Sequence, residues 1–280
     1  MQPSKQDVID NVQDLVCLPE IYLNVRELLE DPASSINDFA EVVSGDIALT
    51  AKVLRIANSA FFGFATKIDS IMRAISIMGT GQLHDLVLAS SAVDTFKGIP
   101  GNIENMEQFW KKSIYCGVVA QLIGSKCNSL DSERFFVIGL LSHIGHLVFC
   151  IQLPELARAA IERSKVEAVP LYIIEREMMG FDYAELGSSL LKAWSLPEAF
   201  VEPIGCQLNP GKASTFPLES SAIHIANHVS MVKNLGLNPE QQIPPISSIA
   251  WQLTELSKDD LGALQTEGDK HFEEAQMLLM

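Results

Sequence analysis

Aromatic residues are scarce in this chain, at 7%, so a core has to be built mainly from leucine, isoleucine, valine and alanine. Basic residues are scarce as well: 20 lysines and arginines stand against 35 acidic side chains, a formal charge of −15. A field of that sign repels phosphate backbones and anionic lipid surfaces, and no Lys/Arg cluster offsets it locally. Neither nucleic acid nor a membrane is an expected partner. The five cysteines (Cys17, Cys116, Cys127, Cys150 and Cys206) include no C-x-x-C pair. Scattered among apolar neighbours, they read as reduced thiols packed like small hydrophobes. The N-terminus lacks a signal-peptide pattern, and no uninterrupted apolar run reaches membrane-spanning length, so a cytoplasmic protein is expected. Strand alternation is almost missing, which excludes a sheet-based fold.

What is present is helical periodicity over 280 residues, 48% of them apolar and 20% charged. That length supports one large domain or two modest ones. Ser4 precedes a first amphipathic helix, and Ser35 with Asp38 has capping spacing before Phe39. Asp46 caps a helix running to Ala57, and Asn58-Ser59 stops it because both side chains compete for backbone hydrogen bonds. Helices are predicted over 68–78 and 83–96, with Gly79-Thr80-Gly81 as the turn between them. The segment Lys97-Gly98-Ile99-Pro100-Gly101-Asn102 is the best boundary candidate. Two long helices are expected over 104–126 and 131–151, with Pro154 just past the end of the second. Shorter ones follow over 156–165, 172–178, 183–193, 198–206 and 221–232.

Two features invite a metal reading. Gly139 to Leu147 (GLLSHIGHL) sets His143 and His146 three residues apart in an apolar run without a carboxylate. His224 and His228 are four apart on a predicted helix, the spacing of a two-histidine metal face. These four could hold a metal if their helices meet. The plainer reading makes His143 and His224 hydrogen-bonded core residues and turns His228 to solvent.

The run Asp46 to Gly63 (DIALTAKVLRIANSAFFG), followed by Ile68-Asp69-Ser70-Ile71-Met72-Arg73-Ala74-Ile75 and Met78-Gly79-Thr80, resembles the HDOD domain. That domain is a helical output module of bacterial signalling proteins, related to the HD metal-dependent phosphohydrolases. The resemblance covers about Leu18 to Ser230, departing at Ile47, where proline is common, and at His84, where arginine is common. It implies an all-α fold: a multi-helix orthogonal bundle, with an N-terminal helical subdomain (1–98) packed on an HD-like helical subdomain (102–235). Residues 236–280 would form a peripheral helical extension.

Active HD enzymes ligate metal through a helix histidine, a His-Asp pair, and later histidines and an aspartate. The resemblance puts Lys112 in the first histidine's place, Ser142 and His143 in the His-Asp pair, and Tyr183 at the next histidine. Cys206 and Gln207 stand where a His-His pair could follow, and Asn227 where the final aspartate would be. A protonated lysine offers no lone pair and repels a divalent ion. Serine and a neutral amide are weak ligands, and no carboxylate remains to activate water. Catalysis and cofactors are therefore expected to be absent.

The expected function is a non-catalytic bacterial signal-transduction module acting through protein contacts. Its candidate partner surface is formed by Asn58, Phe61, Phe62 and Phe64, where a turn presents apolar side chains. The chain has no room for a sensory or receiver domain, so a separate protein would bring the input. Two alternatives stay open. One is an HD-type phosphohydrolase with a rearranged His143/His146/His224/His228 site, and the other a binder of a nucleotide second messenger. The oligomeric state is not legible.

Overall fold

Capping residues set where the helices start. A computed structural model describes residues 3–13, 16–59, 67–97, 105–233 and 243–280. In chain order the helices are α1 (Lys5–Gln13), α2 (Glu20–Glu30), α3 (Ile36–Ser44), α4 (Ile47–Ala57), α5 (Ile71–Lys97), α6 (Met106–Lys126), α7 (Ser132–Leu141), α8 (Ile144–Gln152), α9 (Pro154–Glu167), α10 (Leu171–Met179), α11 (Tyr183–Ala193), α12 (Glu198–Cys206), α13 (Pro217–Lys233), α14 (Ser248–Thr254) and α15 (Lys258–Leu279). No strand occurs among the described residues, so the fold is all-α. Ser35 and Asp38 form a reciprocal capping box on α3, and the Asp46 carboxylate accepts from the Leu49 N–H at the start of α4.

Two expectations about helix limits are corrected, and a third holds. The single helix expected over 131–151 is two, α7 and α8, separated at Ser142 and His143. His143 takes a φ of −100° with ψ 4°, which turns the chain between them. Pro154 lies just past the end of α8, as expected, and itself begins α9, two residues before the expected start at 156, where its missing N–H costs nothing. The pair expected over 68–78 and 83–96 is present: α5 consists of two helical stretches that meet at a kink at Gly79, whose φ of 85° favours glycine.

The chain separates into two units: Met1–Cys17 with Ile99–Gly268, and Leu18–Gly98 with Asp269–Met280. This differs from the division drawn from sequence. The first 17 residues group with the later half, where Trp194 donates its indole N–H to the Val16 carbonyl at 3.1 Å. Residues 236–280 are no separate extension, since α15 is shared between the two units.

In the smaller unit, α2, α3 and α4 pack against α5. Tyr22, His84 and Asp85 form a buried relay there: Tyr22 Oη lies 3.0 Å from His84 Nε2, and His84 Nδ1 lies 2.9 Å from Asp85 Oδ1. Asn58 closes the end of α4. Its carboxamide donates to the carbonyls of Leu54 and Ile68, at 2.7 and 2.6 Å, and accepts from the Ile68 N–H at 2.8 Å. Removing three such bonds with Asn58→Ala should destabilise this corner by roughly 1–3 kcal/mol. Faster hydrogen exchange in peptides spanning α4 and the start of α5 would show it. Phe61, Phe62 and Phe64 of the candidate partner surface lie outside the described residues.

In the larger unit, α6 and α7 pack through glycine. A Cβ on Gly139 would sit 2.7 Å from the Gly117 Cα, so the two backbones meet there without side chains between them. α8 approaches α11 closer still, because a Cβ on Gly145 would come within 1.9 Å of the Tyr183 carbonyl oxygen. Among the described residues one segment, Ser132–Gln152, is long and apolar enough by length and composition to cross a membrane, and 78% of its most apolar stretch is buried inside the fold.

Candidate functional site

Most of the residues that the resemblance sets at HD ligand positions are brought together in the larger unit by four local devices. α6 carries Lys112 and, one turn later, Cys116, both buried. The α7–α8 turn places Ser142 and His143, with 0% and 1% exposure. Gly180, at a φ of 84°, ends α10, and the capping box of Asp182 with Glu185 starts α11 so that Tyr183 is its first residue. Gln207 caps the C-terminus of α12, and Asn227 lies on the buried face of α13.

Hydrogen bonds link most of this set. Gln207 donates through Nε2 to the carbonyls of Ser142 and Ile204, each at 2.8 Å. Asn227 donates through Nδ2 to Gln207 Oε1 at 2.6 Å, and its Oδ1 accepts from the Cys116 thiol at 3.1 Å. Ser142 Oγ donates to the Gly139 carbonyl at 2.8 Å and lies 2.9 Å from His143 Nδ1. The hydroxyl has one proton, and the Gly139 carbonyl takes it. Ser142 Oγ is then the acceptor from His143, which puts the imidazole proton on Nδ1 and a lone pair on Nε2.

Burial holds the His143 imidazole well below its ordinary range, with the Lys112 ammonium and then His146 adding to the effect. Burial also pushes the Cys116 thiol up to about 11, so it is not a thiolate at neutral pH. The Tyr183 phenol is driven well above its usual value by burial and the nearby Glu175 carboxylate. His143 Nε2 and Tyr183 Oη are both buried, and neither finds a hydrogen-bond partner among the described residues.

Two participants escape a reading of motif spacing. Cys116 binds Asn227 although it belongs to no ligand pattern. Glu175, at 3% exposure, accepts the Tyr183 backbone N–H at 2.9 Å and lies 3.3 Å from His146 Nδ1. His146 in turn stacks on the Tyr183 ring with centroids 3.9 Å apart. One signal did exist, since Glu175 falls on the apolar face of its helix between Ile174 and Met179, both buried. Cys206, by contrast, is only half-buried and makes no hydrogen bond to the cluster among the described residues.

No three of His143, His146, His224 and His228 converge as ligands among the described residues. His224 uses both ring nitrogens: Nδ1–H donates to the Gln207 carbonyl at 2.7 Å, and Nε2 accepts from the Ser247 N–H at 3.1 Å. His228 is half-buried rather than turned to solvent, with Nδ1 2.9 Å from the Pro244 carbonyl. Nor do the residues at the inherited ligand places fit a divalent metal. Lys112 is a cation, and Tyr183 keeps its proton. The serine hydroxyl and the Asn227 amide are already spent on protein partners.

Comparison with known proteins follows this geometry. The HDOD domain family matches residues 15–210. An uncharacterized protein of Treponema pallidum (strain Nichols) is 25% identical over 242 residues, covering 85% of this chain and 46% of its own length. The chain thus spans about half of that relative. Among solved structures, an HDOD domain protein of unknown function from Geobacter sulfurreducens has a TM-score of 0.73 at 23% identity, covering 98% of this chain and 97% of its own. A Shewanella amazonensis protein provisionally named a phosphohydrolase has the same TM-score at 24% identity and 98% coverage of both chains. A Marinobacter aquaeolei protein provisionally named for signal transduction has a TM-score of 0.69 at 18% identity, covering 100% of this chain and 61% of its own. Likeness at these identities speaks to fold. With the family match over most of its length, this chain belongs to the HDOD domain family.

Proposed function

We propose that the protein is a non-catalytic signalling module that acts through contacts with another protein. The observation that carries this reading is the bond between Asn227 and Gln207 at 2.6 Å. It commits to each other two side chains that stand where metal ligands would be needed. Metal-assisted hydrolysis requires a bound ion with an open position and a water to activate. The Lys112 ammonium and the carboxamide pair supply the opposite conditions. A hydrolytic fold without its ligands still offers a stable surface, so recognition can continue where chemistry has stopped.

The segment Asn58–Ser70 is the proposed contact region. The test of catalysis is direct. Purified protein given Mg²⁺, Mn²⁺, Fe²⁺ or Zn²⁺ should hydrolyse p-nitrophenyl phosphate, its bis-ester and common nucleotides no faster than the metal alone. Metal-dependent turnover that disappears in His143→Ala would overturn the reading. A partner recovered with the wild type should be lost with Phe62→Ser, and an unchanged interaction would remove that segment from consideration.

A further inference from the structure

We infer that Gln207 and Asn227 form an amide clasp that takes over the structural work of a metal ion, tying α6, the α7–α8 turn, the end of α12 and α13 around one point. The inference rests on the metal-free reading of the site above and adds what replaced the ion. A bound metal joins separated helices because each contributes one ligand. Here the two carboxamides do the joining. Gln207 holds the turn through the Ser142 carbonyl and its own helix through the Ile204 carbonyl. Asn227 brings α13 to Gln207 and accepts the Cys116 thiol from α6. His224 adds a second tie between α13 and the Gln207 backbone at 2.7 Å. Both carboxamides are buried, at 1% and 6% exposure, in surroundings where an unmade hydrogen bond is costly and a linked set is cooperative.

The clasp requires Asn227 to be a neutral amide. Its Nδ2 is the donor to Gln207 Oε1, and Gln207 cannot turn its own amide around without giving up both carbonyls that its Nε2 serves. An aspartate at 227 would set a carboxylate oxygen against Gln207 Oε1. This makes Asn227→Asp decisive, because the two accounts of the site predict opposite signs. If the positions still form a latent metal site, restoring the acidic residue should be tolerated, and Mn²⁺ or Zn²⁺ should raise the melting temperature of the variant. If they form a clasp, Asn227→Asp should lower the melting temperature by roughly 5 °C or more, with no recovery in either ion.

Two further measurements hold if that variant does not fold. Melting of the wild-type protein should be unchanged by EDTA, and stoichiometric metal in purified protein would overturn the clasp. Gln207→Met and Asn227→Leu should be strongly non-additive, the double variant losing clearly less than the sum of the singles. Additive losses would also overturn it. The two proposals fail separately: turnover by a protein with a coupled Gln207–Asn227 pair would remove the non-catalytic reading and leave the clasp. Additive losses in an inactive, metal-free protein would do the reverse.

Discussion

Gly145→Ala should destabilise the larger unit by at least about 3 kcal/mol, at the upper end of what overpacking costs. The added methyl would stand 1.9 Å from the Tyr183 carbonyl oxygen and 2.8 Å from the Gly187 N, and both are backbone atoms of α11. No side-chain rotation relieves such a contact, so α8 and α11 would have to separate. Separation would pull Tyr183 from the Glu175 carboxylate that holds its N–H and would break the stacking of His146 on the Tyr183 ring. Damage to packing and damage to the polar cluster therefore arrive together. Urea unfolding followed by tryptophan fluorescence reads this unit selectively, because Trp110, Trp194 and Trp251 all belong to it. Gly262→Ala supplies a control of opposite sign. Gly262 is an exposed position of α15 where a Cβ meets nothing within 4 Å, so alanine should stabilise by about 0.5–1 kcal/mol through helix propensity. A Gly145→Ala midpoint within error of the wild type would mean that α8 and α11 do not approach as described.

The contrast between those two glycines marks how far the sequence alone could be read. Local chemistry was legible: the Asp46 cap, the Ser35/Asp38 box and the break at Gly79 each depend on residues within one turn of one another. The places of Lys112, Ser142, His143, Tyr183 and Asn227 were legible only by resemblance, since nothing in their spacing says that four helices meet. The α7–α8 turn was hidden because Ser142 and His143 sit in an apolar run whose period stays helical. What accompanies the turn is a local hydroxyl bond from Ser142 back to Gly139, which a helical period does not reveal, together with a tertiary demand, the approach of Gly145 to α11. The Tyr22–His84–Asp85 relay joins residues 62 positions apart and left no periodic trace. His228 was assigned to solvent because its bond to the Pro244 carbonyl comes from a segment with no pattern of its own.

Acid should unfold the larger unit earlier than its carboxylates require. Burial holds both His143 and His224 below the ordinary histidine value of 6.5, so both are neutral in the folded protein across the neutral range. The unfolded chain, free of burial, takes up protons on the same two residues once the pH falls below about 6.5. It then binds more protons than the folded state, and stability must fall with pH. Each histidine contributes a slope approaching about 1.4 kcal/mol per pH unit until the folded group itself titrates, which for His143 lies far down the scale. Between pH 6.5 and 5 the unfolded chain takes up this proton while the folded His143 does not, so stability falls throughout the window. Burial raises the Asp182 and Glu219 carboxyls of this unit and so works in the opposite direction, which makes the difference between wild type and a His143 variant the quantity that isolates the histidine. Urea midpoints by tryptophan fluorescence at half-unit steps would trace the loss. His143→Gln should flatten the profile by about the share of one group, even if the variant starts from a lower stability. The slope of that profile is the deciding quantity, because cavity and hydrogen-bond effects of the substitution shift the whole curve without tilting it. An unchanged slope in His143→Gln would show that His143 is protonated in the folded state. The proton would then have to sit on Nε2, the nitrogen whose lone pair follows from the Ser142–Gly139 bond, beside the Lys112 charge that opposes it.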